Sequence, residues 1–312
     1  MLKILFILSA LAAVACTMFR ADEDQDDASI FVFIEIGSAD VKSADPSSEE
    51  VVSDVNLFVF SNGGILESHL YADSRSYKGT PIPVKLLRGA RYDIAACLNF
   101  GYNIPGITCK EDLLAMKYYM VYPDEYRPGI PMAALVEDYS APRLGQANLT
   151  LWARRLMSRI TLTFDRSHLD KDVTMNVYRA ELKSCPRNVT PFSPNTGLGS
   201  EDIFKESFFK DGLAVDNLNK DAGNGISREV YLYMLESLGA SSFKPYVELK
   251  LSYKSPKAYS YAGEYLIYRF YIGEDGQNIV RNSNYSYTIT PHGDGLSDSD
   301  SWRVDKTGLN YP

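Results

Sequence analysis

Two strand patterns of opposite phase meet within Leu149–Asp165, LTLWARRLMSRITLTFD. Leu149, Leu151 and Ala153 put apolar groups at odd positions, whereas Leu156, Ile160, Leu162 and Phe164 put them at even ones. Successive side chains on a strand point to opposite faces, so a one-residue change of phase turns the apolar set over unless the chain bends or bulges. Arg154 and Arg155 sit at the change. The pattern predicts that the last strand of one β-sandwich runs directly into the first strand of a second. A single bulged strand within one sheet is the alternative.

On both sides the chain reads as short strands separated by turn residues. Ser29 to Ile36, SIFVFIEI, is a run of Phe and β-branched residues, expected to be a strand covered on both faces. Val55 to Phe60 and Ile65 to Tyr71 flank Ser61-Asn62-Gly63-Gly64, which tolerates positive φ and so predicts a hairpin. Pro81 to Leu87, Ala90 to Leu98 and Ile130 to Val136 complete the first set. Beyond the junction come Val173 to Leu182, Val230 to Leu235, Tyr265 to Ile272 and Tyr285 to Ile289. Val247, Leu249, Leu251 and Tyr253 alternate with Glu248, Lys250 and Ser252, a strand with one wet face.

Helical spacing is confined to Glu111–Met120, where Glu111 and Asp112 suit a helix N-terminus, and to a short stretch at Glu201–Lys210. The latter lies in a Gly-, Pro- and Asn-rich insertion, Cys185–Ser227, that reads as a surface loop. Short strands without βαβ alternation mean an all-β fold: two tandem β-sandwich domains with one or two short helices. The expected domains are 29–153 and 154–312, and 312 residues at 45% hydrophobic suffice for two cores.

Met1–Ala15 joins Lys3 to an apolar run, Ile4 to Val14, broken only by Ser9. This predicts a secretory signal, too short for the ~20 apolar residues that span a bilayer. Ala13-Val14-Ala15 before Cys16 suits either an A-x-A cleavage site or a lipobox resembling those of bacterial lipoproteins. A Cys immediately after the cut favours lipidation at Cys16 and attachment to the outer membrane. Residues 16–28, with ADEDQDD at Ala21–Asp27, then form a self-repelling acidic tether. Cys97 and Cys109 close a short disulfide loop or, with Cys185, remain buried free thiols.

A net charge of -8 with three His and no basic block argues against a nucleic-acid partner. The chain lacks G-x-S-x-G, a Walker loop, H-E-x-x-H, a dinucleotide fingerprint and C-x-x-C, so no enzyme activity, cofactor or metal is expected. His69, His168 and His292 are far apart in sequence and are expected to be unrelated. Asp294, Asp298 and Asp300 carry calcium-type oxygens without EF-hand order and read as a solvated loop. Arg154, Arg155 and Arg159 are expected to pair internally or across the junction. Tyr259, Tyr261, Tyr265, Tyr268 and Tyr271 offer sugars a stacking platform, although alternation on a sheet accounts for most of them.

Several local patterns occur in a telling order. VNLFVFSNGGIL (Val55–Leu66) ends in a polar-Gly turn; GARYDIAACLNFG (Gly89–Gly101) starts Gly-x-x-Tyr and ends Asn-x-Gly; IPMAA (Ile130–Ala134) follows. LWARRLMSRITLTF (Leu151–Phe164), VYLYMLESLG (Val230–Gly239) and YRFYIGEDGQNIVRNSNYSYTIT (Tyr268–Thr290) come next, the last with an Arg-Asn pair before a Tyr-rich strand. Together they resemble the fimbrillin-type subunits of type V pili, fimbriae assembled from lipoprotein precursors on Gram-negative cells.

The resemblance implies transthyretin-like sandwiches, a cell-surface fimbrial location, other pilus subunits as partners, and polymerisation by strand exchange that supports adhesion. A protease would remove the first strand, and a strand of the next subunit would fill the groove. Carried onto this chain, the exchanged strand presents Ile30, Val32, Ile34 and Ile36, and Lys42 is the only basic residue between it and Val55. The Arg usual at that cut is missing, which raises the alternative of an anchor that keeps its lipid and first strand. Trp302 and Val304, in Ser301–Pro312, mark the candidate donor segment. From a different class, the rival reading is an outer-membrane surface lipoprotein that binds glycans.

Overall fold

The computed structural model describes residues 27–36, 49–73, 75–204, 214–216, 225–227, 229–239, 243–255, 265–273, 278–296 and 302–310. In the first domain the elements are β1 (Asp27–Ile36), β2 (Val55–Ser61), β3 (Leu66–Ala72), β4 (Ile82–Leu87), β5 (Arg91–Leu98), α1 (Lys110–Ala115), β6 (Tyr118–Tyr119), β7 (Met132–Ser140) and β8 (Gln146–Arg155). The strands pair in the order β3-β2-β5-β7-β8-β1-β4. Only Met132–Arg155 and Ala133–Arg154 join β7 to β8, so the sheet folds there into two layers. Leu57, Val59, Ile94 and Ala96 of one layer pack on Ile30, Val32, Val84, Leu86 and Leu151 of the other.

The outward row of the β2 and β5 layer is also apolar. Phe58, Phe60, Ala95 and Cys97 are covered by Leu113 of α1 and by Tyr118, Met120, Tyr126 and Ile130 from the segment that follows β5. Burial on both faces explains why VNLFVF, apart from the buried Asn56, is apolar at odd and even positions alike instead of alternating.

The second domain holds β9 (Met157–Phe164), β10 (Thr174–Lys183), β11 (Asn188–Val189), β12 (Ala214–Asp216), β13 (Val230–Leu235), β14 (Tyr246–Lys254), β15 (Tyr265–Tyr271), β16 (Asn284–Pro291) and β17 (Trp302–Asn310). Two sheets, β13-β9-β16-β17 and β12-β10-β14-β15, enclose Ile160, Leu162, Val177, Leu182, Leu249 and Leu251. Both domains follow one plan. The first strand, β1 or β9, lies parallel to a late strand, β8 or β16, and antiparallel to β4 or β13; the second domain adds β17 outside β16.

At the junction, β8 ends at Arg155 and β9 begins at Met157, with the Leu156 amide donating to the Pro131 carbonyl at 2.8 Å. β8 pairs with β1 and β9 with β13 and β16, so the change of phase marks a change of sheet and the single bulged strand is excluded.

Helix α1 is shorter than the Glu111–Met120 expected from spacing. Met116 leaves the helix at φ -61° and ψ 141°, and β6 then pairs with β11 of the second domain. Leu113 and Tyr118 both face inward, and either backbone shape achieves that; pairing across the domains decides for the strand. Where a helix was expected at Glu201–Lys210 the chain makes one 3-10 turn, Ser200–Asp202, and residues 205–210 lie outside the described residues.

Asp112 secures the start of α1. Its carboxylate accepts from the Thr108 hydroxyl at 2.7 Å and from the Thr108 and Cys109 amides at 2.9 and 3.1 Å, which lowers its pKa to about 2. A depressed carboxylate stabilises the fold above its unfolded pKa near 4, and that contribution is lost as pH falls through about 2. Amide protection factors in the first turn of α1, corrected for the slowing of intrinsic exchange in acid, are expected to fall over that window in the wild type and to be low already at neutral pH in Asp112→Ala.

Candidate functional site

β1 pairs along both of its edges. Asp27–Val32 run antiparallel to β4, and Ser29–Ile36 run parallel to β8 with Val32 opposite Leu149 and Ile34 opposite Leu151. Ala28, Ile30 and Val32 are fully buried. Ile34 and Ile36 are partly buried and border an open cleft of about 460 Å³ that also meets Val52, Tyr77 and Arg155. The outward side chains differ from the sequence expectation of cover on both faces. Phe31 and Phe33 are half-buried and Glu35 is exposed, because only the inward row meets the opposing layer.

Beyond β1, the chain returns to the described residues at Glu49, which is locked to the second domain. The buried Glu49 carboxylate accepts from Arg159 Nη1 at 3.0 Å and from the Tyr233 hydroxyl at 2.6 Å, while Arg155 Nε donates to its backbone carbonyl at 3.0 Å. Asn284 accepts from Arg159 Nε at 3.2 Å and from the Thr161 hydroxyl at 3.0 Å. Burial, and after it the adjacent Glu49, pushes the Tyr233 phenol up, so Tyr233 is a donor at any ordinary pH. Arg155 and Arg159 thus make the internal pairing expected of them, and Arg154 stays exposed. Glu49, Tyr233 and Asn284 carried no sequence signal. Their partners lie 110, 184 and 125 residues away.

Trp302 and Val304, the candidate donor residues, are paired inside their own domain. β17 runs antiparallel to β16 with Val304 opposite Ile289. The Trp302 indole stacks on Tyr268 at 4.2 Å and 16°, and donates to the Gly295 carbonyl at 2.9 Å. Cys16, Lys42, the signal segment and residues 16–26 of the expected tether lie outside the described residues, as do Tyr259, Tyr261, Asp298 and Asp300, whereas Asp27 and Ala28, expected in the tether, are paired with β4 as the start of β1.

Cys97, Cys109 and Cys185 are free thiols, so no disulfide joins Cys97 to Cys109. Burial raises the pKa of Cys97 and Cys185, leaving both as inert thiols. The histidines need a correction. His168 and His292 do meet, with ring centroids 4.9 Å apart, because a bridge between Leu169 and Gly293 aligns their segments. His69 is separate, stacked on Phe58 at 4.2 Å. Among the described residues no group of three or more His, Cys, Asp or Glu is placed to hold a metal, and no helix is long and apolar enough to cross a membrane. Asp294 turns its carboxylate to the Leu296 amide at 2.8 Å.

No family model matches the sequence, and no curated protein does. Solved structures do match. A candidate cell adhesion protein from Bacteroides eggerthii superposes with a TM-score of 0.61 at 13% identity, over 92% of this chain and 96% of that one. Fimbrilin from Porphyromonas gingivalis W83 gives 0.60 at 12% identity, over 89% and 96% of the two chains. The tip fimbrial protein Mfa3 from Porphyromonas gingivalis, with a C-terminal truncation, gives 0.57 at 14% identity, over 91% and 99%. Coverage of 89–92% of this chain means that the two-sandwich fold is shared as a whole and not through one domain alone.

Proposed function

We propose that this chain, folded like fimbrial proteins, is a structural subunit of a cell-surface fimbria or the membrane anchor of one, joined to its neighbours by exchange of β1. One observation carries the reading: β1 lies between β4 and β8, not at an edge. A strand lost from an edge leaves a smaller sheet. A strand lost from between two others leaves two unpaired backbones facing one slot, together with an apolar floor that an incoming strand can fill. Lipid on Cys16 and outer-membrane attachment complete the proposal for an anchor.

The side chains of β17 bear on where the chain sits in a fibre. β1 offers Ala28, Ile30, Val32, Ile34 and Ile36 on one face, whereas β17 offers Trp302 and Val304 followed by the exposed Lys306. Alternate pockets select alternate side chains, so β17 fits a copy of this groove poorly. That mismatch favours a position in which the chain receives or keeps a strand without donating β17 to a copy of itself.

Exchange is tested by placing a protease site in the segment 37–48 and cutting it. β1 is expected to remain bound until mild urea releases it, after which a labelled peptide of residues 27–36 is taken up. A cut chain that keeps its shape, shows no uptake and leaves β1 behind as a non-exchanging fragment would count against the reading.

A further inference from the structure

On the side of the junction away from Glu49, a groove of about 450 Å³ opens between the domains, with Leu135, Trp152, Arg154, Phe192 and Leu238 among its lining residues. Its size is that of a small-molecule site, which typically measures about 300–1,000 Å³. The second domain's wall is held rigid. Arg281 donates to the carbonyls of Pro191, Thr190 and Ser193 at 2.7, 3.0 and 2.8 Å, and its Nε to Glu236 at 2.9 Å. Glu236 also accepts from the Asn195 amide at 3.0 Å, so its charge is fully compensated.

Once Glu236 and Arg281 cancel, one charge in the groove is left over. The Arg154 guanidinium is exposed and has no hydrogen bond or ion pair among the described residues. Two residues earlier on the same outward row of β8, Trp152 is 60% exposed. Their side chains leave the strand ~7 Å apart on one face. An uncovered indole is a flat apolar surface with a polar N–H at its rim, and a free guanidinium binds carboxylates in a planar, two-pronged fashion.

We propose that this groove binds a carboxylate-bearing sugar, such as a uronic acid residue of a polysaccharide. The C–H face of the ring lies on Trp152 and its carboxylate on Arg154. Neutral sugars leave Arg154 unanswered, and small inorganic anions leave Trp152 uncovered. Trp152 lies opposite Glu35 of β1, so binding is tested on the intact chain with β1 in place, where a failure to bind leaves the strand-exchange reading untouched.

The chain holds two tryptophans. Trp302 is stacked away on Tyr268, so a ligand in the groove reports through Trp152 fluorescence. Titrating the full chain with trigalacturonate is expected to change that signal, and its methyl ester to bind at least ~10-fold more weakly. By calorimetry, Arg154→Gln and Trp152→Ala should each lose most of the binding while keeping the wild-type urea midpoint, since both side chains are exposed. No binding at millimolar trigalacturonate overturns the proposal. So does equal affinity for the methyl ester, or full competition by an oligoglutamate peptide, which would mark a general anion surface.

Discussion

Ile30→Asp is expected to unfold the chain under conditions in which Phe31→Asp leaves it native. Ile30 is fully buried between the two layers of the first domain, while Phe31, one residue on, faces outward and is half-buried. Truncating a buried Ile costs about 2–5 kcal/mol, and an unpaired carboxylate in the same place adds its own desolvation. Domains are stable by only about 5–15 kcal/mol in total. Urea denaturation of the two variants measures the contrast directly. It also reads on strand exchange, because a 27–36 peptide with Asp at position 30 should fail to enter the opened groove while one with Asp at position 31 still binds. Equal midpoints for the two chain variants would mean that β1 contributes little to the core.

Glu49→Ala is expected to destabilise the chain by about 3–5 kcal/mol, the usual cost of removing one partner from a buried ion pair. The Glu49 and Arg159 side chains are 11% and 8% exposed. Without the carboxylate, Arg159 keeps a buried charge with Asn284 and the face of the Tyr231 ring beside it but no anion paired to it, and the Tyr233 hydroxyl loses its acceptor. Arg159→Ala should cost a similar amount. The double variant should cost clearly less than the sum, since neither charge is then left alone. Arg91→Ala is the control: its ion pair with Asp138 is 56% and 60% exposed, and such pairs are worth about 0–1 kcal/mol. Strict additivity at Glu49 and Arg159 would mean that the lock is not a coupled unit. The location of the lock matters for processing as well. A cut within 37–48 severs β1 from the rest of the chain while Glu49 stays fastened to the second domain, so later release of β1 opens the groove without loosening the junction.

The tandem sandwiches were legible because binary pattern is local. The switch of apolar parity around Arg154 and Arg155 needs no knowledge of partners, and it marked the change of sheet. Strand positions followed from the same alternation, with ends off by up to four residues where pairing continues into polar ones, as in β7, expected to stop at Val136 and running on to Ser140. Where two backbone shapes put the same side chains inward, pattern could not choose. The segment Glu111–Met120 was read as helix throughout, yet within it Tyr118 and Tyr119 pair with Val189 and Asn188.

Sites assembled from distant residues were not legible at all. Glu49 reads as one acid in a polar linker, Arg154 as one of three arginines, and His168 and His292 as strangers. Their meaning depends on which neighbours the fold supplies.

What the residues determine unaided is therefore the alternation of faces, the turns and the point where one sheet hands over to the next, since each is set by sterics and burial within a few bonds. Which strand sits between which others, and which charges are answered or left open, was decided only by the tertiary structure. Those outcomes depend on pairing over a hundred residues or more, where the energetics of desolvation and backbone hydrogen bonding act on positions that no local pattern brings together.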